Sequence, residues 1–328
     1  MASSASSTLS SPPYVVEELP GVLQLLSDGT VLRSPDHIAP IPVPDGVSVD
    51  WKDLLFDTNH GLHLRLYMPR ILATKNKLPV LVYFHGGGFC KGSRTWPNFH
   101  ACCLRLASDL HAIVANVDYR LAPEHRLPAA LEDAAAALLW IRDQSKSDAW
   151  LSEHADLSRV FVIGESAGGN ITHHMAVRFG QTGLVPVRLC GFIVLMPGFM
   201  AEERTKSELN CHDAALLALE KLDSYCRLSL PPGATRDHPS CNPFGPESPS
   251  LEAAEMGPIL VVVAERDVLK DPGVAYATRL KEMGKKAELV EFKGEEHAFF
   301  AMKPWSEPVG EMIREIKRFM DGCESESV

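Results

Sequence analysis

Five short apolar runs decide most of what this chain can fold into. They are Pro79–His85 (PVLVYFH), Ala112–Asp118 (AIVANVD), Val160–Gly164 (VFVIG), Cys190–Met196 (CGFIVLM) and Ile259–Ala264 (ILVVVA). They are rich in β-branched residues and lack the alternation of a half-exposed strand, which suits strands buried on both faces of a parallel sheet. Val47–Phe56 and Leu62–Met68 read as two earlier strands with a hairpin turn at Gly61, and Ala287–Phe292 as a last one. Helical stretches fall between them. Pro97–Leu110 puts Phe99, Cys103, Leu106, Ala107 and Leu110 on one face, and Pro128–Asp143 opens on a Pro suited to a first helical turn. Ile171, Met175 and Phe179 form an i, i+4, i+8 stripe, and Pro272–Met283 and Glu307–Met320 complete the set. This order predicts an α/β fold with an open, mostly parallel central sheet of about eight strands and helices on both faces. Ligand sites in such sheets lie at the carboxyl ends of the strands.

Size and charge narrow the function. With 328 residues, 45% of them apolar, the chain can bury one large core. Its 32 basic and 42 acidic side chains give a net charge of −10, which argues against nucleic acid or an anionic membrane surface as the main partner. No run of about 18 apolar residues exists to span a bilayer, and no partner protein is indicated. Met1–Ser11 is rich in Ser and Ala but has neither the basic nor the apolar segment of a secretory signal, and the first basic residue is Arg33. A cytoplasmic protein is expected, with the nucleus as a further compartment. The eight Cys include the adjacent Cys102 and Cys103 but no C-x-x-C, so reduced thiols and no metal site are expected. The boundaries read as a disordered tail at 1–13, a lid segment at 14–46, a catalytic domain at 47–322 and a tail at 323–328. Within the domain, 199–250 is a cap insertion with a helical patch at Cys211–Leu228.

Gly164-Glu165-Ser166-Ala167-Gly168 is the one G-x-S-x-G in the chain. By chance roughly one chain in ten of this length contains such a string, and a structural Ser in a Gly-rich turn is the plain alternative. Its setting is more specific. An apolar strand precedes it and an amphipathic helix follows, the strand–turn–helix context of a nucleophile elbow. Ser166 then stands at a helix N-terminus that favours developing negative charge.

His85-Gly86-Gly87-Gly88 follows the run PVLVYF. Glycines at a strand end free backbone N–H groups to meet an acyl oxyanion, whereas His85 is expected to be structural. A phosphate loop fails because Ser93 follows Gly92 where Lys is needed, and a dinucleotide fingerprint fails at Lys91. Asp267 lies just after the run ILVVVA, and His297 just after the next strand. The order Ser166, Asp267, His297 is that of an α/β-hydrolase triad, each member at the carboxyl end of its own strand. His297 would take the Ser166 proton and Asp267 would fix its tautomer. Asp271, one helical turn on, is the competing acid and is otherwise expected to be solvated. This chemistry requires no cofactor or metal.

These residues resemble the plant carboxylesterase family, the plant branch of the hormone-sensitive-lipase-like α/β-hydrolases. The resemblance runs from about Gly21 to Met320. It rests on HGGGF at 85–89, DYRLAPEHRLPAALED at 118–133, GESAGGN at 164–170, D-x-L-x-D at 267–271 and the His297 loop, all in order. It implies that Ser166, Asp267 and His297 form the triad and that Gly87, Gly88 and Ala167 supply oxyanion N–H groups. His85, Gly86, Gly164 and Gly168 support those motifs, and the N-terminal segment forms part of a lid. The strings at 21–34, 62–69, 92–100 and 227–252 resemble the subgroup that includes strigolactone-hydrolysing enzymes. Ala298 stands where the family usually has Gly, and Glu165 where it commonly has Asp, a change read as conservative and structural.

The family also holds gibberellin receptors that lose the triad His, and isoflavanone dehydratases with Thr in the Ser position. A chain with Ser166 and His297 together resembles the hydrolase branch. A serine carboxylesterase acting on small apolar esters or lactones through an acyl-enzyme is therefore expected, with strigolactone as the specific substrate. A hormone receptor that hydrolyses slowly or not at all is the alternative.

Overall fold

The computed structural model describes residues 12–35, 39–70, 77–211 and 216–325. Two sheets are present among the described residues. A small N-terminal unit carries β1 (Val15–Leu19), β2 (Leu23–Leu26) and β3 (Val31–Arg33) as an antiparallel meander. The sequence predicts no strands here, because pieces of three to five residues are too short for periodicity to mark. Most of the expected tail at 1–13 lies outside the described residues.

The large unit holds β4 (Val49–Asp57), β5 (Leu62–Pro69), β6 (Leu78–Phe84), β7 (Ile113–Val117), β8 (Ala155–Glu165), β9 (Leu189–Leu195), β10 (Ile259–Arg266) and β11 (Ala287–Glu296). They form one eight-stranded sheet in the order β4-β5-β7-β6-β8-β9-β10-β11. The β6 to β11 strands are parallel, and β4 and β5 add an antiparallel edge. The expected mostly parallel eight-stranded sheet is the observed one. Every residue of β6 and β7 is buried, as their continuous apolar runs require. Each such Val, Ile or Leu contributes about 1.5–3 kcal/mol by leaving water.

The described helices are α1 (Pro97–Leu110), α2 (Ala129–Gln144), α3 (Ala149–His154), α4 (Ala167–Thr182), α5 (Lys206–Asn210), α6 (Leu219–Ser229), α7 (Lys270–Glu282), α8 (Phe299–Met302) and α9 (Glu307–Ser325). The face expected on α1 is buried in full and joins Tyr83, Ile163, Ile193 and Val262 of the sheet and Met312 and Ile316 of α9 in one apolar cluster. From β6 the chain steps outward to β7 and then back past β6 to β8. The carboxyl ends of β6 and β8 therefore flank the point where the winding reverses, the place where open α/β sheets bind ligands.

Some element ends differ from the sequence reading. Pro128 sits one residue before α2, at the N-cap position. The patch expected at Cys211–Leu228 is a helix only from Leu219, with 212–215 outside the described residues. The last helix runs past the expected boundary at 322 to Ser325, and Cys323 is buried. No described helix is long and apolar enough to cross a membrane.

Candidate active site

Ser166 links β8 to α4 with φ 53° and ψ −116°. A side chain held at positive φ costs on the order of 1–3 kcal/mol and persists only where its surroundings enforce it. Here the Ser166 N–H donates to Leu195 O (2.9 Å), and Ser166 O accepts from Asn170 N (3.0 Å) and Gly198 N (2.8 Å). The flanking glycines permit the turn. A Cβ on Gly164 would lie 2.2 Å from Gly168 O, and one on Gly168 would lie 1.9 Å from Phe84 O of β6.

The structure brings Ser166, His297 and Asp267 together across 131 and 30 residues of sequence. Ser166 Oγ lies 3.0 Å from His297 Nε2, and Asp267 Oδ2 lies 2.7 Å from His297 Nδ1. Asp267 Oδ1 accepts from Leu269 N at 2.9 Å, so both carboxylate oxygens are engaged. His297 and Asp267 are 6% and 1% exposed. Burial pushes the His297 imidazole down, but the Asp267 charge and hydrogen bond outweigh it, with a further contribution from Glu165, and the imidazole ends above its ordinary value. Ala298, at the family's usual Gly position, adopts φ 57°, a left-handed conformation that costs an alanine about 1–2 kcal/mol.

Asp271, the competing acid, has another role. Its Oδ2 accepts from Ser207 N (2.8 Å), and Ser207 Oγ donates to Val268 O (2.8 Å). It is part-buried rather than solvated, and it ties α5 of the cap insertion to the first turn of α7, while Ser207 Oγ holds the loop that carries Asp267.

Gly87 and Gly88 follow β6 at φ 120° and 59°, and Ala167 opens α4. A Cβ on the intervening Gly86 would stand 3.3 Å from Ser166 Cβ, so this loop runs beside the nucleophile. His85 supports it from beneath. Its Nδ1 donates to Gly86 O (2.8 Å), its own carbonyl accepts from the Tyr119 hydroxyl (2.8 Å), and its ring stacks between Tyr119 and Phe99.

Two residues near the site had escaped the sequence reading. Tyr225 of α6 presses its ring on Gly88, where a Cβ would lie 2.2 Å from Tyr225 Cδ1. Nothing local in the sequence signals this, since the contact joins an insertion to a loop 137 positions earlier. α6 is fixed there by Arg126, whose Nη1 donates to Arg227 O and Leu230 O, both at 2.6 Å. The second is Glu165, for which the sequence suggests only a conservative structural role. It is 2% exposed, its Oε2 has no hydrogen-bond partner among the described residues, and burial pushes its carboxyl up to about 8. Its place beside Ser166 was the available signal.

The Glu165 shift has a testable sign. An unfolded glutamate ionises above about 4.5, whereas the folded one holds its proton to about 8. The native state therefore binds more protons over that window and loses stability as pH rises through it. The neutral Glu165→Gln avoids this loss. Its Tm relative to wild type is expected to rise between pH 5 and pH 8, by roughly several degrees. An equal Tm difference at both pH values would mean that the carboxyl is ordinarily solvated.

Away from this site, Asp57, His60 and Asp133 bring ligand atoms within 4.8 Å of one another, but Arg120 already clamps Asp133 at 2.7 Å.

Residues 81–301 match the profile of a family described by its alpha/beta hydrolase fold. The chain belongs to that α/β-hydrolase family. The hydrolase is 37% identical over 293 residues to a probable carboxylesterase of Arabidopsis thaliana, covering 87% of this chain and 84% of the relative. It is 35% identical over 334 residues to a 2-hydroxyisoflavanone dehydratase of Glycyrrhiza echinata, covering 98% and 100%. Among solved structures it resembles an esterase of the archaeon Pyrobaculum calidifontis, with TM-score 0.71, 29% identity, and 83% and 85% of the two chains covered. It is a carboxylesterase-like enzyme, as the resemblance in its motifs implied.

Proposed function

We propose that this hydrolase is a serine carboxylesterase that cleaves small apolar esters or lactones through an acyl-enzyme. The observation that carries the reading is the continuous contact from Ser166 Oγ through His297 to Asp267. Ser166 attacks the carbonyl carbon as His297 Nε2 takes its proton. The N–H groups of Gly87, Gly88 and Ala167 receive the oxyanion. His297 then passes the proton to the leaving alcohol, and water repeats the sequence to release the acid. Ser166, where the dehydratases of the family have Thr, and His297, which its receptors lack, favour hydrolysis over those outcomes.

Strigolactone is the specific substrate we propose. The support is the resemblance of GVLQLLSDGTVLRS at 21–34, LHLRLYMP at 62–69, GSRTWPNFH at 92–100 and the 227–252 string to the strigolactone-hydrolysing subgroup. The test mixes enzyme with a short-chain aryl ester and, separately, a strigolactone analogue, and follows product release over many turnovers. A burst of alcohol equal to the enzyme concentration, then release of alcohol and acid at equal steady rates, is expected for the aryl ester, with multiple turnovers of the analogue. Tight binding of the analogue with one equivalent of product or none would favour a receptor.

A further inference from the structure

One buried acid beside the nucleophile, Glu165, takes no part in the triad. Glu165 directly precedes Ser166 and points inward at the end of β8. A Cβ placed on Gly86 would lie 3.0 Å from Glu165 Oε1, so the carboxyl supports the loop that carries Gly87 and Gly88. Its other oxygen is buried and unpartnered among the described residues. Burying a carboxyl with one oxygen unsatisfied is costly, and a glutamine or methionine would fill the same space without ionising. Groups held at such cost beside a nucleophile are candidates for a part in its chemistry.

Several ionisable groups interact electrostatically with Glu165. They are Tyr83 of β6, Cys102 and Cys103 of α1, Tyr119 beyond β7, and His297. Burial pushes both tyrosines and both thiols upward, so they stay neutral. His297 is the group in this set that changes charge near neutrality, and it meets Asp267 and Ser166 on its other sides. The interaction is mutual. Charge on Glu165 favours the imidazolium, and the imidazolium favours ionised Glu165.

Building on the esterase reading, we propose that Glu165 is a positioning residue for acyl transfer: its buried carboxyl supports the oxyanion loop from below and sets the electrostatic surroundings in which His297 gains and loses its proton. Glu165 touches no reacting atom. It acts through His297, the two titrating as a coupled pair in which proton uptake by one eases proton loss by the other.

The test compares wild type with Glu165→Gln, which keeps shape and removes the charge. The pH profile of kcat/KM for a short-chain aryl ester and the NMR titration of the His297 imidazole are both measured. In wild type the imidazole is expected to titrate in two coupled steps. In Glu165→Gln it is expected to titrate in one step at lower pH, with the acid limb of kcat/KM moved the same way and the plateau changed by less than about tenfold. An unmoved imidazole titration and acid limb, with only the plateau or Tm altered, would show a packing role and overturn the proposal. If the glutamine variant does not fold, a single-step titration in the wild type overturns it equally. The NMR readout needs no turnover, so a protein that hydrolyses nothing refutes the esterase reading without disturbing this measurement.

Discussion

Ser166→Ala is expected to lose nearly all ester turnover, by about 10⁴- to 10⁶-fold in kcat, while keeping its fold and its capacity to bind substrate. The loss is large because Ser166 Oγ is the atom that lies 3.0 Å from His297 Nε2. The fold should survive because the turn is held by backbone bonds to Leu195, Asn170 and Gly198. None of these uses the Ser side chain. Relief of strain at φ 53° is not expected, since alanine carries the same Cβ. Steady-state turnover of an aryl ester, with mass spectrometry after organophosphate treatment, checks both halves. Wild type should gain one adduct on the peptide containing Ser166, and the variant none. An alanine variant that retains a tenth of wild-type turnover would remove Ser166 from the mechanism.

The parts of the fold legible in the sequence were those dominated by burial. The β6 and β7 runs are apolar throughout because both faces of the sheet are covered, and that pattern needs no tertiary knowledge to read. The Ser166, Asp267 and His297 positions were legible for a related reason. Each follows a readable strand, and a parallel sheet delivers the carboxyl ends of its strands to one edge. What escaped was set by contacts far apart in sequence. Tyr225 meets Gly88 through a helix that Arg126 anchors at its carboxyl end. Asp271 leaves solvent because Ser207 of the cap insertion reaches it. The insertion is also held by an ion-pair cluster in which Arg204 and Arg236 both bond Asp223 and Glu208. No local periodicity encodes such pairings. Glu165 is a third case. Its residue type was plain, but whether a carboxyl next to the nucleophile is solvated or buried depends on α1 and β6 closing over it.

Asp267→Asn is expected to lower kcat/KM by about 10⁴-fold, and the geometry gives the reason. In the native site Leu269 N–H donates to Asp267 Oδ1, and Oδ2 accepts the Nδ1 proton of His297. This leaves Nε2 bare and able to take the Ser166 proton. An asparagine has one oxygen and one NH₂ in place of two acceptors. Leu269 N–H requires the oxygen, so the NH₂ turns toward His297 Nδ1 and donates to it. The imidazole proton then moves to Nε2, where it faces Ser166 Oγ and blocks proton transfer. The variant also loses the charge that holds the imidazole above its ordinary value, so His297 should titrate at lower pH. Asp271→Ala is the matched control. It removes only the bond that Asp271 Oδ2 accepts from Ser207 N and is expected to cost less than about tenfold, comparable to a lost hydrogen bond. Activity and His297 titration measured on both variants decide the assignment. A mild effect at Asp267 with a severe one at Asp271 would move the acid four residues along the chain.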